Sequence, residues 1–205
     1  MEADARSVVF IGDSITDAGR DRTDPGSLGD GYVSLLAPEL VAGGAEVRNL
    51  GIAGNRAVDL AERWATDLAP TAPQVLTVYV GVNEVWRRFD SADPTPTERF
   101  EETLRRLLQR AAADHDAKLI LMEPFVLPVH AEQQAWLADL DEKRAVVRRL
   151  AVEFGAELVP LHDVLTAAAL EQDAAALAPD GVHPTLAGSQ LIADAWRSAA
   201  ARLCC

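Results

Sequence analysis

Cysteine is nearly absent from this 205-residue chain: the two present, Cys204 and Cys205, stand side by side at its end. Neighbouring thiols cannot tie distant parts of a fold together, which excludes a disulfide framework, and the pair reads as an inert tail. Basic residues are also scarce, 19 against 32 acidic ones, for a formal net charge of −13. A surface that negative repels phosphate backbones and anionic lipid, so nucleic-acid and membrane partners are disfavoured, as is a polyanionic substrate. No run approaches the roughly 20 apolar residues that span a bilayer. The N-terminus has neither the basic start nor the long apolar segment of a secretory leader, so the chain reads as cytoplasmic. His115, His130 and His162 show no metal-ligand spacing with one another or with the cysteines, and no metal is expected. His115 and His162 read as surface or capping residues, and His130 as a residue able to line a pocket. A phosphate-binding GxxxxGK[ST] is missing and Gly29-Asp30-Gly31 follows no strand, so nucleotide-binding readings fail on spacing.

What is present is an ordinary globular composition, 49% hydrophobic and 25% charged, at a length that suits one domain over residues 1–205. Apolar β-rich runs alternate with segments of helical period. Strands are expected over residues 8–11, 46–52, 75–80, 118–122 and 157–161. Helices are expected over 32–41, 58–68, 97–113, 132–154 (one long or two shorter), 164–170 and 185–203, with Gly155 capping the fourth. Residues 19–31 and 82–96 read as polar loops. Continuous apolar strands separated by helices imply a three-layer α/β domain around a five-stranded parallel sheet. In such sheets ligands sit beyond the carboxyl ends of the strands, so residues of chemical interest should follow a strand directly or stand before the last helix.

Four segments meet that condition. The first strand ends in Gly12-Asp13-Ser14: glycine permits a sharp turn, Asp13 can hold it through local backbone hydrogen bonds, and the Ser14 N–H is left free for a developing oxyanion. The second strand leads to Gly54, just before a helix, where unpaired N–H groups and the positive dipole end favour a substrate oxygen. The third leads to Asn83, whose side-chain amide can donate to an oxyanion. Each alone reads equally well as an ordinary turn or loop; their convergence on one edge lifts them above that. Before the closing helix stands Asp180-Gly181-Val182-His183. A carboxylate three residues ahead of a histidine can reach its Nδ1, fix the tautomer and leave Nε2 to accept a serine proton.

Together, GDS at Ser14, IAG at Gly54, GVN at Asn83 and DGVH at His183 resemble the four blocks of the GDSL/SGNH hydrolase family, in the family's order and across nearly the whole chain. The resemblance implies a flavodoxin-like α/β/α fold and a carboxylic ester hydrolase that needs no cofactor. It implies Ser14 as nucleophile, His183 as base and Asp180 as its partner. The Ser14 N–H, the Gly54 N–H and the Asn83 amide would form the oxyanion hole. One departure is visible: the family often has Asp after the third-block asparagine, where this chain has Glu84, which puts a supporting hydrogen bond in question. Residues 12–20 (GDSITDAGR), Arg63-Trp64, residues 81–87 (GVNEVWR) and residues 123–125 are similar to the branch that deacetylates xylan or xylo-oligosaccharides. That implies a small-molecule or oligosaccharide ester as substrate, with Trp86 either stacking on a sugar ring or packing under its own loop. Pro179 stands where some carbohydrate esterases carry an aromatic residue. An acyltransferase using the same acyl-serine and a non-catalytic carbohydrate-binding module remain as alternatives, and a homo-oligomer is left open.

Overall fold

A computed structural model describes residues 6–204. Of the two terminal cysteines read as an inert tail, Cys205 lies outside the described residues entirely and Cys204 in its side chain. The elements run β1 (Arg6–Gly12), α1 (Ser14–Asp17), α2 (Tyr32–Ala42), β2 (Ala45–Gly51), α3 (Ala57–Asp67), β3 (Val75–Tyr79), α4 (Val82–Asp90), α5 (Thr97–His115), β4 (Lys118–Met122), α6 (Leu137–Glu153), β5 (Glu157–Val159), α7 (Leu161–Ala168), α8 (Ala174–Leu177) and α9 (Leu186–Ala200). Among the described residues no helix is long and apolar enough to cross a membrane.

The strands form one parallel sheet in the order β2-β1-β3-β4-β5. Alternation along each strand feeds two cores, because successive side chains point to opposite faces. Val8 and Phe10 face Val33 and Leu36 of α2 and Ile192 and Trp196 of α9. Val9 and Ile11 face Leu60 and Trp64 of α3, Leu107 of α5 and Leu150 of α6. Burying each such side chain contributes ~1.5–3 kcal/mol, so both helical layers are held by the same short strand. Within β3, the buried Thr77 hydroxyl is satisfied by Trp196, whose Nε1–H donates to Thr77 Oγ1 at 2.9 Å.

Register is what positions the site. Gly12 pairs with Gly51 on one side and Tyr79 on the other, and Tyr79 pairs with Met122, so four strands end in one row. The strand order reverses between β1 and β3, where the segments leaving the sheet separate and leave a crevice.

The five-stranded parallel sheet matches the sequence expectation, and the six expected helices appear with shifted ends. The fourth divides into a 3-10 turn, Ala131–Trp136, followed by α6. The reading of residues 82–96 as a loop is overturned, because residues 82–90 form α4. Val82 and Val85 are buried at helical spacing, whereas Asn83, Glu84, Arg87 and Arg88 make the segment look polar. Two of those polar residues, Asn83 and Glu84, are themselves buried, because they bond inward rather than to water. The short α8 also goes beyond the sequence reading.

Candidate active site

The end of β1 is shaped by space. A Cβ on Gly12 would lie 2.3 Å from the Tyr79 carbonyl oxygen and 2.6 Å from Thr16 Oγ1, so no larger residue fits. Its role is therefore close approach to the neighbouring strand and helix, where the sequence pointed to turning freedom. Asp13 then takes an extended conformation and caps α1, its Oδ1 accepting from Ile15 N–H at 3.0 Å. Ser14 opens that helix, where first-turn N–H groups have no partner within the helix.

The loop after β2 is tied down from three directions that the sequence reading passed over. Buried Asn49 donates to the carbonyls of Thr16 at 2.6 Å and Leu28 at 2.8 Å, and accepts from Gly51 N–H at 2.8 Å. Asp17 Oδ2 accepts from Ala53 N–H at 2.9 Å. Arg63 of α3 donates to Asn55 Oδ1 at 2.7 Å and to the Gly12 carbonyl at 3.2 Å. Between these anchors Gly54 holds φ at +83°, a left-handed value that explains the glycine. Asn49 and Asp17 look like any polar loop residues in sequence; only their contacts mark them out.

Helix α4 turns one side to this loop. Asn83 Nδ2 donates to the Asn55 carbonyl at 3.0 Å, which uses one of its two amide hydrogens. Glu84 Oε1 accepts from Ala57 N–H at 2.6 Å, the start of α3. Glu84 thus makes a hydrogen bond of its own, its longer side chain reaching a helix N-terminus. Three and four positions beyond Asn83, Trp86 and Arg87 lie on the same side of α4. Arg87 Nη2 is the nearest group to Gly54, 3.9 Å from where a Cβ would stand.

The second half of the site comes from the loop before α9. Ser14 Oγ lies 2.9 Å from His183 Nε2, and His183 Nδ1 lies 2.6 Å from Asp180 Oδ2. Asp180 Oδ1 accepts from the N–H groups of Val182 at 2.9 Å and His183 at 2.7 Å. An ionised carboxylate only accepts, so it places the proton on Nδ1 and leaves Nε2 to accept from Ser14. Burial pushes the Asp180 carboxyl up, but the hydrogen bonds from the His183 ring, His183 N–H and Val182 N–H outweigh it and hold the group below its ordinary value. The loop itself hangs on buried Gln133, which donates to the Asp180 carbonyl at 2.7 Å and accepts from Val129 N–H at 2.9 Å and His130 N–H at 3.1 Å. Leu127 N–H donates to the Gly181 carbonyl at 2.8 Å. Sequence gave no hint of Gln133, since its partner is 47 residues away. Thr185 caps α9 through Gly188 N–H.

Beside His183 lies a cleft of about 690 Å³ lined by Ser14, Arg20, Arg22, Asp30, Ala53 and Thr185, among others. Trp86, which is not among the residues lining that cleft, packs 5.7 Å from the His183 ring and 5.6 Å from Trp136, which stacks on Phe89 at 5.5 Å. Trp86 thus rests on Trp136 and borders the histidine at once. His130, expected to line a pocket, is an exposed residue ahead of the 3-10 turn and does not line this cleft.

This arrangement has relatives. Residues 10–191 match the GDSL-like lipase/acylhydrolase family. The acetylxylan esterase of Geobacillus stearothermophilus is 34% identical over 204 residues, covering 92% of this chain and 91% of that protein. Its crystal structure superposes with a TM-score of 0.85 over 94% of this chain and 93% of that one, at 33% identity. Variants of that enzyme described as catalytic mutants replace a serine or a histidine by alanine. A GDSL-like protein of Parabacteroides merdae gives a TM-score of 0.92 at 35% identity, covering 96% of both chains. With the sheet order, the site and these likenesses in agreement, the chain belongs to the GDSL-like lipase/acylhydrolase family and is a carboxylic ester hydrolase.

Proposed function

We propose that the protein removes small acyl groups, acetyl foremost, from hydroxyl-rich alcohols such as xylo-oligosaccharides, through an acyl-enzyme on Ser14. The observation that carries this reading is the hydrogen-bonded row Asp180–His183–Ser14. His183 Nε2 takes the hydroxyl proton as Ser14 Oγ attacks the ester carbon, and the carbonyl oxygen becomes an oxyanion. The Ser14 N–H, the Gly54 N–H and the second amide hydrogen of Asn83 receive that charge. Collapse of the intermediate expels the alcohol, which takes the proton back from His183. Water, deprotonated by the same nitrogen, then attacks the acyl-serine and releases the acid. Asp180 remains a carboxylate throughout and stabilises the imidazolium.

Support for a sugar alcohol comes from the cleft beside Ser14, where Arg20, Arg22, Asp30 and Thr185 offer donors and acceptors to hydroxyl groups. Trp86, half-buried, borders the His183 ring at 5.7 Å and is the aromatic side chain placed to meet a pyranose there. The relative that acts on acetylxylan supports the same choice. Ser14→Ala tests the chemistry: turnover of p-nitrophenyl acetate should fall ~10⁴-fold or more, and wild-type turnover by the folded variant would refute it. Acetate release from acetylated xylo-oligosaccharides, compared with release from simple alkyl acetates, tests the alcohol.

A further inference from the structure

Two carboxyl groups behind the site have no part in the reaction just described. Asp13 immediately precedes Ser14 and Glu84 immediately follows Asn83, so each is one residue from an oxyanion donor. Both side chains are shut off from solvent, at 0% and 1% exposure. Each spends a single oxygen on a defined hydrogen bond, from Ile15 N–H and Ala57 N–H respectively. Their other oxygens, Asp13 Oδ2 and Glu84 Oε2, are buried without any partner.

The groups facing them give little reason to ionise. Glu84 of α4, Tyr32 of α2 and Tyr79 of β3 lie around Asp13. The Tyr79 hydroxyl is likewise buried without a partner, and Tyr32 is occupied by Thr16 at 3.0 Å. Arg56 and Asp59 flank Glu84, and the guanidinium of Arg56 is directed to Asp93 at 2.9 Å. A charged carboxylate with one oxygen unbonded in such a place is costly, and a neutral one far less so.

We propose that Asp13 and Glu84 are positioning residues that act in the protonated state, keeping the floor beneath the oxyanion donors neutral, and that their ionisation lowers turnover. The proposal rests on the reading of Ser14 N–H and Asn83 as oxyanion donors. Negative charge beside those donors opposes the charge that builds on the substrate oxygen, and the dry surroundings screen it poorly. Burial, reinforced for Asp13 by the charge of Glu84, pushes both groups up to about 7. Below that range they hold their protons; above it a charge appears under the site.

The test is kcat against pH, with spontaneous hydrolysis subtracted, for the wild type, Asp13→Asn and Glu84→Gln at saturating p-nitrophenyl acetate. The amides keep an accepting oxygen for Ile15 and Ala57 but cannot ionise. Wild-type kcat should fall by ~10- to 100-fold on the alkaline side of neutrality. Each variant's profile, scaled to its own maximum, should lose part or all of that fall. A wild-type profile that stays level, or a fall that persists unchanged in both variants, overturns the proposal. Infrared spectra of the wild type give a second reading that survives a variant's failure to fold. A protonated-carboxyl band should be present near pH 6 and vanish as the pH is raised; its absence near pH 6 overturns the proposal as well. Failure of the nucleophile reading would show separately, in Ser14→Ala turnover, and leaves the infrared result standing.

Discussion

The rim and the floor of this site hold the same functional group in opposite surroundings. At the rim, Asp180 has 44% of its side chain exposed and accepts three hydrogen bonds, and its carboxyl is held below the ordinary range. On the floor, Asp13 and Glu84 are buried with one carboxyl oxygen each left without a partner, and burial pushes them up to about 7. All three stand within three residues of a proposed catalytic or oxyanion group, so nearness to the site does not decide their ionisation. Access to water and the number of donors decide it. On the proposed mechanism, one fold thereby supplies negative charge where an imidazolium would form and a carboxyl disposed to stay neutral where an oxyanion would form.

The largest expected effect breaks the comparison if it fails. Asp180→Asn removes the rim charge and reverses the preferred histidine tautomer, and should lower kcat ~10⁴-fold with the fold intact. Asp13→Asn near pH 6, where the floor carboxyl already carries a proton, should cost ~10-fold or less. Equal losses in the two variants, measured with p-nitrophenyl acetate, would show that both carboxyls act as charges. Next in size is Asn83→Ala, which withdraws one of the proposed oxyanion donors and should cost ~10²–10³ in kcat. KM should change little, because the donor acts on charge that exists only in the transition state.

Smaller again is Gln133→Leu. That change leaves the Asp180 carbonyl and the Val129 and His130 N–H groups without their side-chain partner. The loop should lose register by a fraction of an ångström to an ångström, costing ~10- to 100-fold in kcat, and stability should fall by ~1–3 kcal/mol. A variant with normal kcat would mean that the Leu127–Gly181 contact and the Thr185 cap suffice to hold the rim.

Gln133 also marks where sequence reasoning ran out. Strands were legible because a parallel sheet covered on both faces demands unbroken apolar runs such as residues 75–80. The carboxyl edge was legible because Ser14, Gly54 and Asn83 each follow a strand, a placement that topology enforces. Asp180 and His183 were legible because their spacing is local. Helix α4 was not, since Asn83 and Glu84 are buried for their bonding and so dilute the apolar pattern of Val82 and Val85. Asn49, Arg63 and Gln133 were not, because nothing local fixes the partner of a long-range hydrogen bond. Asp13 was read correctly as a turn holder, yet its solitary second oxygen is a property of packing that composition does not carry.

The remaining effect appears in stability and not in turnover, and it separates rim from floor by sign. A carboxyl raised in the folded state binds more protons there than in the unfolded chain, so its contribution is complete at low pH and is lost as pH rises. For Asp13 and Glu84 the window runs from their ordinary values, 3.8 and 4.5, to about 7. The unscreened loss is about 4 kcal/mol for Asp13 and about 3 kcal/mol for Glu84, or roughly 10 °C in Tm for a chain of this size. Asp13→Asn and Glu84→Gln should therefore gain in Tm relative to the wild type as pH rises through that window, and level off above it. Asp180 runs the other way: its depressed carboxyl stabilises the fold above the ordinary carboxylate range and loses that contribution as pH falls. The Tm deficit of Asp180→Asn should be full at neutral pH and shrink under acid. Calorimetric scans of Asp13→Asn and Glu84→Gln between about pH 4 and 7.5, and of Asp180→Asn from neutral pH down to about pH 2, decide it: an Asp180→Asn deficit that does not shrink under acid, or floor variants that gain nothing as pH rises, would mean that rim and floor do not differ in charge.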